Sequence, residues 1–417
     1  MSHVLIADSF PEDSRAEIEQ LGATVHYEAG ATAENLPELA VSTEATILVV
    51  RSTKVTAEVF ERAPALQLVI RAGAGVNTID LEAASARAVR VANCPGTNAA
   101  AVAELAMGFL LSLDRRIPDN VADLREGRWN KKGYSAARGL AGRTLGVIGT
   151  GSIGVEVISR AQAFGMKIVA WSRSLTPERA DELGVRRAED IYEVARRSDA
   201  VTVHVAAAAE TKRFLDEQFF AELPEGALFI NTSRATVVDD QAMRRAVRER
   251  GLRAGLDVFD GEPSGGEGEV DPALFAASKA EAAAGLIYGT HHIGASTEQA
   301  QHAVAAATVE RIRAFLAGEA VPSLVNVPER DAPAPADAAV LEIRHRNRVG
   351  VLAHALTALE RAGINVRGMA NHLFSGDEGA LATIQVEHAP SPEVISEVTA
   401  SHADILAVRL TAGVADG

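Results

Sequence analysis

The run Gly149-Thr150-Gly151-Ser152-Ile153-Gly154 follows the β-branched stretch Leu145-Gly146-Val147-Ile148 and precedes a helical stretch, Val155 to Phe164. Each glycine then has a task. Gly149 permits a tight turn, Gly151 lets backbone approach a pyrophosphate, and Gly154 lets helix and strand pack closely. The helix start at Ser152 and Ile153 offers unpaired N–H groups to the anion. Three glycines alone are a weak signal, but the strand before and the helix after point to dinucleotide binding. The acidic residue that usually holds the ribose hydroxyls about 20 positions further on is missing, because that strand ends Trp171-Ser172-Arg173-Ser174. Arg173 with the hydroxyls of Ser172 and Ser174 would suit a 2′-phosphate, or be a solvated turn. NAD versus NADP therefore stays open. Three later segments gather polar residues at strand ends, where open α/β sheets bind ligands. They are Ile230-Asn231-Thr232-Ser233-Arg234-Ala235, Gly255 to Pro263, and Thr290-His291-His292-Ile293-Gly294-Ala295-Ser296. Adjacent histidines diverge and have no further ligand cluster near them in sequence, so no metal is expected.

The elements that must position these residues alternate strand and helix. Val4–Asp8, Ile47–Val50, Leu68–Ala72 and Val89–Ala92 read as buried strands of one series. Leu145–Gly149, Lys167–Trp171, Ala200–Val205, Ala227–Thr232 and Ala254–Val258 form a second. Such alternation predicts an α/β fold of two doubly wound parallel sheets with helices on both faces. Asn98 suits the N-cap of a long apolar helix from Ala99 to about Leu113. The first series ends with little helix to cover its last strand. The helix from about Gln299 to Leu316 is expected to return and complete it, making that domain discontinuous. Pro328, Pro333 and Pro335 among charged residues mark a linker. Beyond it Ala339–Arg344, Ala380–Val386 and Ile405–Leu410 alternate like strands, and Val351–Ala362 and Pro392–Thr399 like helices. A small α+β domain fits there. The expected division is 1–97 with 286–326, then 98–285, a linker at 327–337, and 338–417.

The chain has 417 residues, room for two or three domains. Lys plus Arg number 41 against 56 Asp plus Glu, a net charge of −15. That surface repels phosphate backbones and anionic lipid, so neither nucleic acid nor membrane is expected as a partner. The longest near-candidate for a span, Leu105 to Leu113, stops at Asp114, well short of the roughly 18 residues needed. The start, Met1-Ser2-His3-Val4-Leu5-Ile6-Ala7-Asp8, reads as a first strand and not a signal peptide. Cys94 is the only cysteine, which removes intrachain disulfides and cysteine-built metal sites. A soluble cytoplasmic protein is the expectation.

The glycine loop, Asn231-Thr232-Ser233-Arg234, Asp257-Val258-Phe259-x-x-Glu262-Pro263 and His292-Ile293-Gly294-Ala295-Ser296-Thr297, in this order, resemble the D-isomer-specific 2-hydroxyacid dehydrogenases over about residues 1–325. The resemblance implies a flavodoxin-like substrate domain, a Rossmann cofactor domain binding NAD or NADP, and the catalytic set Arg234, Glu262 and His292. It implies also that Asp257 meets the nicotinamide carboxamide and that Thr232 lies along the cofactor. The residue types suit the reaction. Oxidising a 2-hydroxy acid removes the hydroxyl proton while hydride leaves the same carbon, and histidine titrates near neutrality. Glu262 beside it would favour imidazolium, and Arg234 can grip the substrate carboxylate in a fork.

Within the family the likeness narrows to the branch acting on D-3-phosphoglycerate. Arg51-Ser52-Thr53 and Arg71-Ala72-Gly73-Ala74-Gly75-Val76-Asn77 resemble its substrate segments, implying contacts from Arg51, Ser52, Ala74 and Gly75. Lys131 and Lys132 add cations that a phosphate would use, or that solvent would. Ala206 stands where the family often has proline. The C-terminal run Ile343-Arg344-His345-Arg346-Asn347-Arg348-Val349-Gly350, with Ile364-Asn365-Val366, resembles the ACT domain, a βαββαβ regulatory module that binds amino acids, often between paired copies. By that resemblance His345, Asn347 and Asn365 hold L-serine, although Val349 replaces the usual proline. The implied activity is NAD(P)-dependent oxidation of D-3-phosphoglycerate to 3-phosphohydroxypyruvate, for L-serine biosynthesis, in a homodimer or homotetramer under serine feedback. One alternative is an NADPH-dependent hydroxypyruvate or glyoxylate reductase. Another is a nucleotide-sensing interaction protein, against which the retained Arg234, Glu262 and His292 argue.

Overall fold

The protein is described by a computed structural model covering residues 2–262, 268, 286–327 and 339–411. Pro263 and all of the expected linker after Val327 lie outside the described residues. The chain divides into two compact units, Met1–Thr97 with Gln301–Gly417, and Asn98–Ala300.

The first unit opens with β1 (His3–Ile6), α1 (Glu12–Gln20), β2 (Thr24–Tyr27), α2 (Leu36–Ser42), β3 (Ile47–Val50), α3 (Ala57–Arg62), β4 (Leu68–Arg71), α4 (Leu81–Ala86) and β5 (Arg90–Asn93). The strands form a parallel sheet in the order β2-β1-β3-β4-β5. The interior strand β3 is buried at every residue, as a strand covered on both faces must be. The outer strand β2 has no fully buried residue, which is why an apolar run does not announce it.

The second unit comprises α5 (Ala99–Arg115), α6 (Ile117–Arg125), β6 (Thr144–Ile148), α7 (Ser152–Ala163), β7 (Lys167–Trp171), α8 (Pro177–Glu182), β8 (Arg186–Arg187), α9 (Ile191–Arg197), β9 (Ala200–Val203), α10 (Glu217–Glu222), β10 (Leu228–Asn231), α11 (Asp240–Arg250), β11 (Arg253–Leu256) and β12 (Leu286–Gly289). Its sheet runs β12-β11-β10-β9-β6-β7-β8, all pairs parallel. The strand order reverses between β6 and β9, the kind of switch point where such sheets bind ligands. Two expectations need correction here. Strand β12 pairs with β11 along Arg253↔Leu286 to Leu256↔Gly289, so residues from 286 belong to this sheet and the division falls near 300. Asn98 sits at the N-cap of α5, but its side chain makes no capping bond and its Oδ1 is buried without a partner. Its near-helical backbone (φ −104°, ψ 7°) differs from the extended one that aims a cap at the first turn.

Helix α12 (Glu298–Ala317) returns to the first unit, where Ala305, Val309, Ile312 and Phe315 join Ile6, Ile70 and Ala92 in one core. Then follow β13 (Ala339–Arg346), α13 (Val351–Arg361), β14 (Val366–Leu373), β15 (Gly379–Val386), α14 (Pro392–Ala400) and β16 (Ile405–Thr411). These strands make an antiparallel sheet ordered β14-β15-β13-β16, with Leu341, Ile343, Ala355, Leu359 and Ile384 in its core. The element order is βαββαβ.

Candidate active site

The glycine loop joins β6 to α7. Gly149 holds φ +98°, and a Cβ there would lie 2.3 Å from the carbonyl oxygen of His204, so only glycine fits. A Cβ on Gly154 would lie 2.0 Å from the carbonyl oxygen of Gly149, which binds helix start to strand end. Gly151, the N-cap residue before Ser152 and Ile153, differs: a Cβ there would meet no protein atom within 4 Å. The protein does not need that space, and a pyrophosphate at the helix start does. Thr232, at the end of β10, is buried with its Oγ1 lacking a partner, a hydroxyl ready for a ligand. The residues present therefore fit a bound dinucleotide. Arg173 is exposed after β7, with Ser172 Oγ and Ser174 Oγ 3.4 Å apart.

Under the loop lies His204, which the sequence reading missed. Its Nε2 pairs with Thr202 Oγ1 at 2.8 Å, its Nδ1 is buried unpartnered, and burial pushes its pKa down to about 3. The imidazole is neutral and supplies no cation. A polar residue at the end of the apolar Ala200–Val205 run was the available signal.

The other groups stand at the carboxyl ends of the adjacent strands β10, β11 and β12. Arg234 follows β10. Asn231 holds its segment by accepting from Ser233 N and Oγ (2.9 and 2.8 Å) and donating to the Arg234 carbonyl (3.0 Å). One guanidinium nitrogen, Nη1, donates to Ser233 O at 2.7 Å. Glu262, from the loop after β11, has both oxygens engaged. Oε1 accepts the Phe259 N–H at 2.7 Å and Oε2 meets His292 Nδ1 at 2.6 Å.

His292, after β12, holds φ 52°, a left-handed conformation that a residue with a Cβ avoids. Asp257 holds it there: its carboxylate, on a residue 1% exposed, accepts from Thr290 Oγ1 (2.6 Å), Ile293 N (2.8 Å) and Gly294 N (2.8 Å). Asp257 thus anchors the histidine loop, a use that the expected nicotinamide contact did not include. The hydrogen bond that His292 donates to Glu262 raises the His292 pKa, against the opposing effect of burial, and the charges of Glu262 and Asp257 add to it. Burial pushes Glu262 up, but the bonds from His292 and Phe259 N–H outweigh it and leave the carboxyl below its ordinary range. Arg234 acts on both groups electrostatically, lowering each. Glu262 and His292 are thus in direct contact within the second unit, the unit that also carries Arg234.

In the first unit, Arg51 N, Ser52 N and Thr53 N all donate to Asp8 Oδ2 (2.7, 3.1 and 3.1 Å), and Ser52 Oγ donates to Asp8 Oδ1 at 2.7 Å. Asp8, in sequence no more than the end of a strand, fixes the Arg51–Ser52 segment and occupies the serine hydroxyl proton. The Ala74 carbonyl accepts from Asn93 Nδ2 at 2.5 Å, next to Gly75. Lys131 and Lys132 are exposed in a turn beyond α6.

The expected effector residues do not come together within one chain. His345 is buried, with Nδ1 on Arg346 O (2.8 Å) and Nε2 on Asn371 Oδ1 (3.1 Å). Asn347 Nδ2 donates to Asp377 O at 2.9 Å. His345 is in register with Ala380, whereas Asn365 precedes Val366, in register with Val386 at the other end of β15. Those ends are about 20 Å apart at the usual rise of a strand. Among the described residues no group of three or more His, Cys, Asp or Glu could hold a metal, and no helix is long and apolar enough to cross a membrane.

Residues 107–278 match the family described as D-isomer specific 2-hydroxyacid dehydrogenase, NAD binding domain. A D-3-phosphoglycerate dehydrogenase of Methanocaldococcus jannaschii is 38% identical over 79% of this chain and 60% of its own length. A hydroxypyruvate reductase of Thermotoga maritima is 38% identical over 64% of this chain and 84% of its own. The solved structure of an NAD+-bound 3-phosphoglycerate dehydrogenase from Entamoeba histolytica aligns over 78% of this chain and 98% of its own, with 26% identity and a TM-score of 0.62. The chain spans only 60% of the length of the Methanocaldococcus jannaschii relative and 58% of that of a D-3-phosphoglycerate dehydrogenase of Mycobacterium leprae.

Proposed function

The chain belongs to the D-isomer-specific 2-hydroxyacid dehydrogenases, and from that premise we propose that it oxidises D-3-phosphoglycerate to 3-phosphohydroxypyruvate with NAD. The observation that carries the reading is the 2.6 Å contact of His292 Nδ1 with Glu262, with the charge of Arg234 bearing on both. With Nδ1 held by a carboxylate, Nε2 is the nitrogen left to take a proton. Neutral His292 accepts the hydroxyl proton of the substrate, and Glu262 stabilises the imidazolium that forms. In the reverse direction the same imidazolium returns the proton to the carbonyl oxygen. Arg234 takes the substrate carboxylate with the donors that its bond to Ser233 O leaves free. Bound NAD supplies the hydride acceptor. The loop from Gly149 to Gly154, with Thr232, would hold it, and Asp257 keeps the histidine loop in place. Arg51, Ser52, Ala74 and Gly75 are assigned to the substrate on the strength of the family likeness, with Arg51 the cation suited to a phosphate.

A second reading, an NADPH-dependent hydroxypyruvate or glyoxylate reductase, is favoured by the absence of a carboxylate after β7 and by the similarity to a hydroxypyruvate reductase. Steady-state rates with 3-phosphohydroxypyruvate and glyoxylate, each with NADH and NADPH, separate the two. The proposal expects higher kcat/KM for the phosphorylated substrate with NADH. Equal or better turnover of glyoxylate with NADPH contradicts it.

The C-terminal βαββαβ module is read as an ACT domain sensing L-serine. Because His345 and Asn365 lie at opposite ends of its sheet, the reading requires two copies to share each effector. A homo-oligomer is supported also by the exposed apolar side chains Ile117, Val121 and Leu124 on α6 and by Trp129, 81% exposed.

A further inference from the structure

Strand β5 ends the first sheet, so one row of its backbone groups has no strand to pair with. The returning chain supplies partners instead. Asn93 N donates to Ser323 O (3.2 Å), Val325 N donates to Val91 O (2.8 Å), and Val91 N donates to Asn326 Oδ1 (2.9 Å). Asn326, 2% exposed, also donates through Nδ2 to Val89 O (2.9 Å) and Ser85 Oγ (3.2 Å). Its own carbonyl accepts from Ser375 N (3.1 Å), in the turn between β14 and β15. The residue therefore grips the first sheet with its side chain and the C-terminal module with its backbone.

That module is seated on β5 at more than one point. Glu342 of β13 pairs with Arg90, the first residue of β5, at 2.6 Å with both side chains more than nine-tenths buried. Phe374, Leu381 and Ala88 share a core. At the other end of β5, Asn93 Nδ2 donates to Ala74 O (2.5 Å) and Cys94 N donates to Gly73 O (2.9 Å). Turn, asparagine, edge strand and glycine-rich loop are joined bond by bond.

We propose that Asn326 is a positioning residue for the substrate: through β5 and Asn93 it sets the Gly73–Asn77 loop. The proposal rests on the assignment of that loop to the substrate. An asparagine is suited to the task because its amide presents a donor and an acceptor in one rigid plane. Removing it strands the Val91 N–H and the Val89 carbonyl in a buried seam, and β5 is then free to shift its end.

The test is hydrogen exchange at the amides of residues 73–77, measured on the full chain beside KM for D-3-phosphoglycerate and for NAD. The variants are Asn326→Ala and Asn93→Ala. The second leaves the Asn326 seam intact, so a fold defect in the first does not decide the outcome. The expected result is faster exchange at 73–77 in both variants and a roughly tenfold rise in KM for the acid, the size of one lost buried hydrogen bond, with KM for NAD unchanged. Wild-type exchange at 73–77 in both overturns the proposal, even if the melting temperature falls. Faster exchange with an unchanged KM for the acid supports the coupling and overturns the substrate assignment of the loop.

Discussion

His292 is held in a left-handed backbone conformation at φ 52°, which costs on the order of 1 kcal/mol or more. Three bonds to Asp257 from its neighbours offset that cost and aim the ring at Glu262. A second histidine behaves in the opposite way. His204 is buried without charge, so its folded pKa of about 3 lies below its unfolded value near 6.5. Its contribution to stability is fully present above 6.5 and is lost as pH falls from there towards 3. The slope it adds reaches up to about 1.4 kcal/mol per pH unit. In His204→Gln the urea midpoint should fall less steeply than wild type between pH 6.5 and 4; parallel curves would show that His204 does not titrate this way. Of the candidate site, Arg234, Glu262 and His292 were legible because each sits in a short motif after a strand. Asp8 and His204 were not, since one acts through backbone N–H groups and the other through its burial, and neither leaves a spacing to read.

At the scale of elements, the interior strands β3, β9 and β10 are buried at every residue and were plain in the sequence. Among the strands missed, β2 and the two-residue, exposed β8, Arg186–Arg187, have little apolar content to bury. The glycine loop was readable as a strand-to-helix turn because two of its glycines have a steric cause. Gly149 and Gly154 cannot gain a Cβ without meeting backbone, whereas at Gly151 nothing in the protein objects. Gly151→Ala should therefore keep the wild-type melting temperature and weaken NAD binding by roughly tenfold or more, read by calorimetry. A variant that binds NAD like wild type would remove the pyrophosphate from that position.

At the scale of the molecule, the discontinuous first unit was foreseeable, because its sheet lacked a covering helix until α12 returned. The division near 300 was not, because β12 declares its sheet only by pairing with β11. The C-terminal module carries a prediction that only an assembly can satisfy. L-serine should bind to paired chains and not to isolated ones, and Asn365→Ala should abolish the binding heat; one serine bound per monomer, with sedimentation showing a monomer, would contradict the shared site. The proposed chemistry requires that the His292–Glu262 pair handle the proton. The most direct measurement is the pH dependence of kcat/KM for oxidation of D-3-phosphoglycerate, in wild type and in Glu262→Gln. Because Glu262 raises the pKa of the base that must be neutral, the rising limb should move to lower pH in the variant. Its plateau should fall as imidazolium loses its partner. A limb that stays where it was in wild type would mean that this pair is not the proton acceptor.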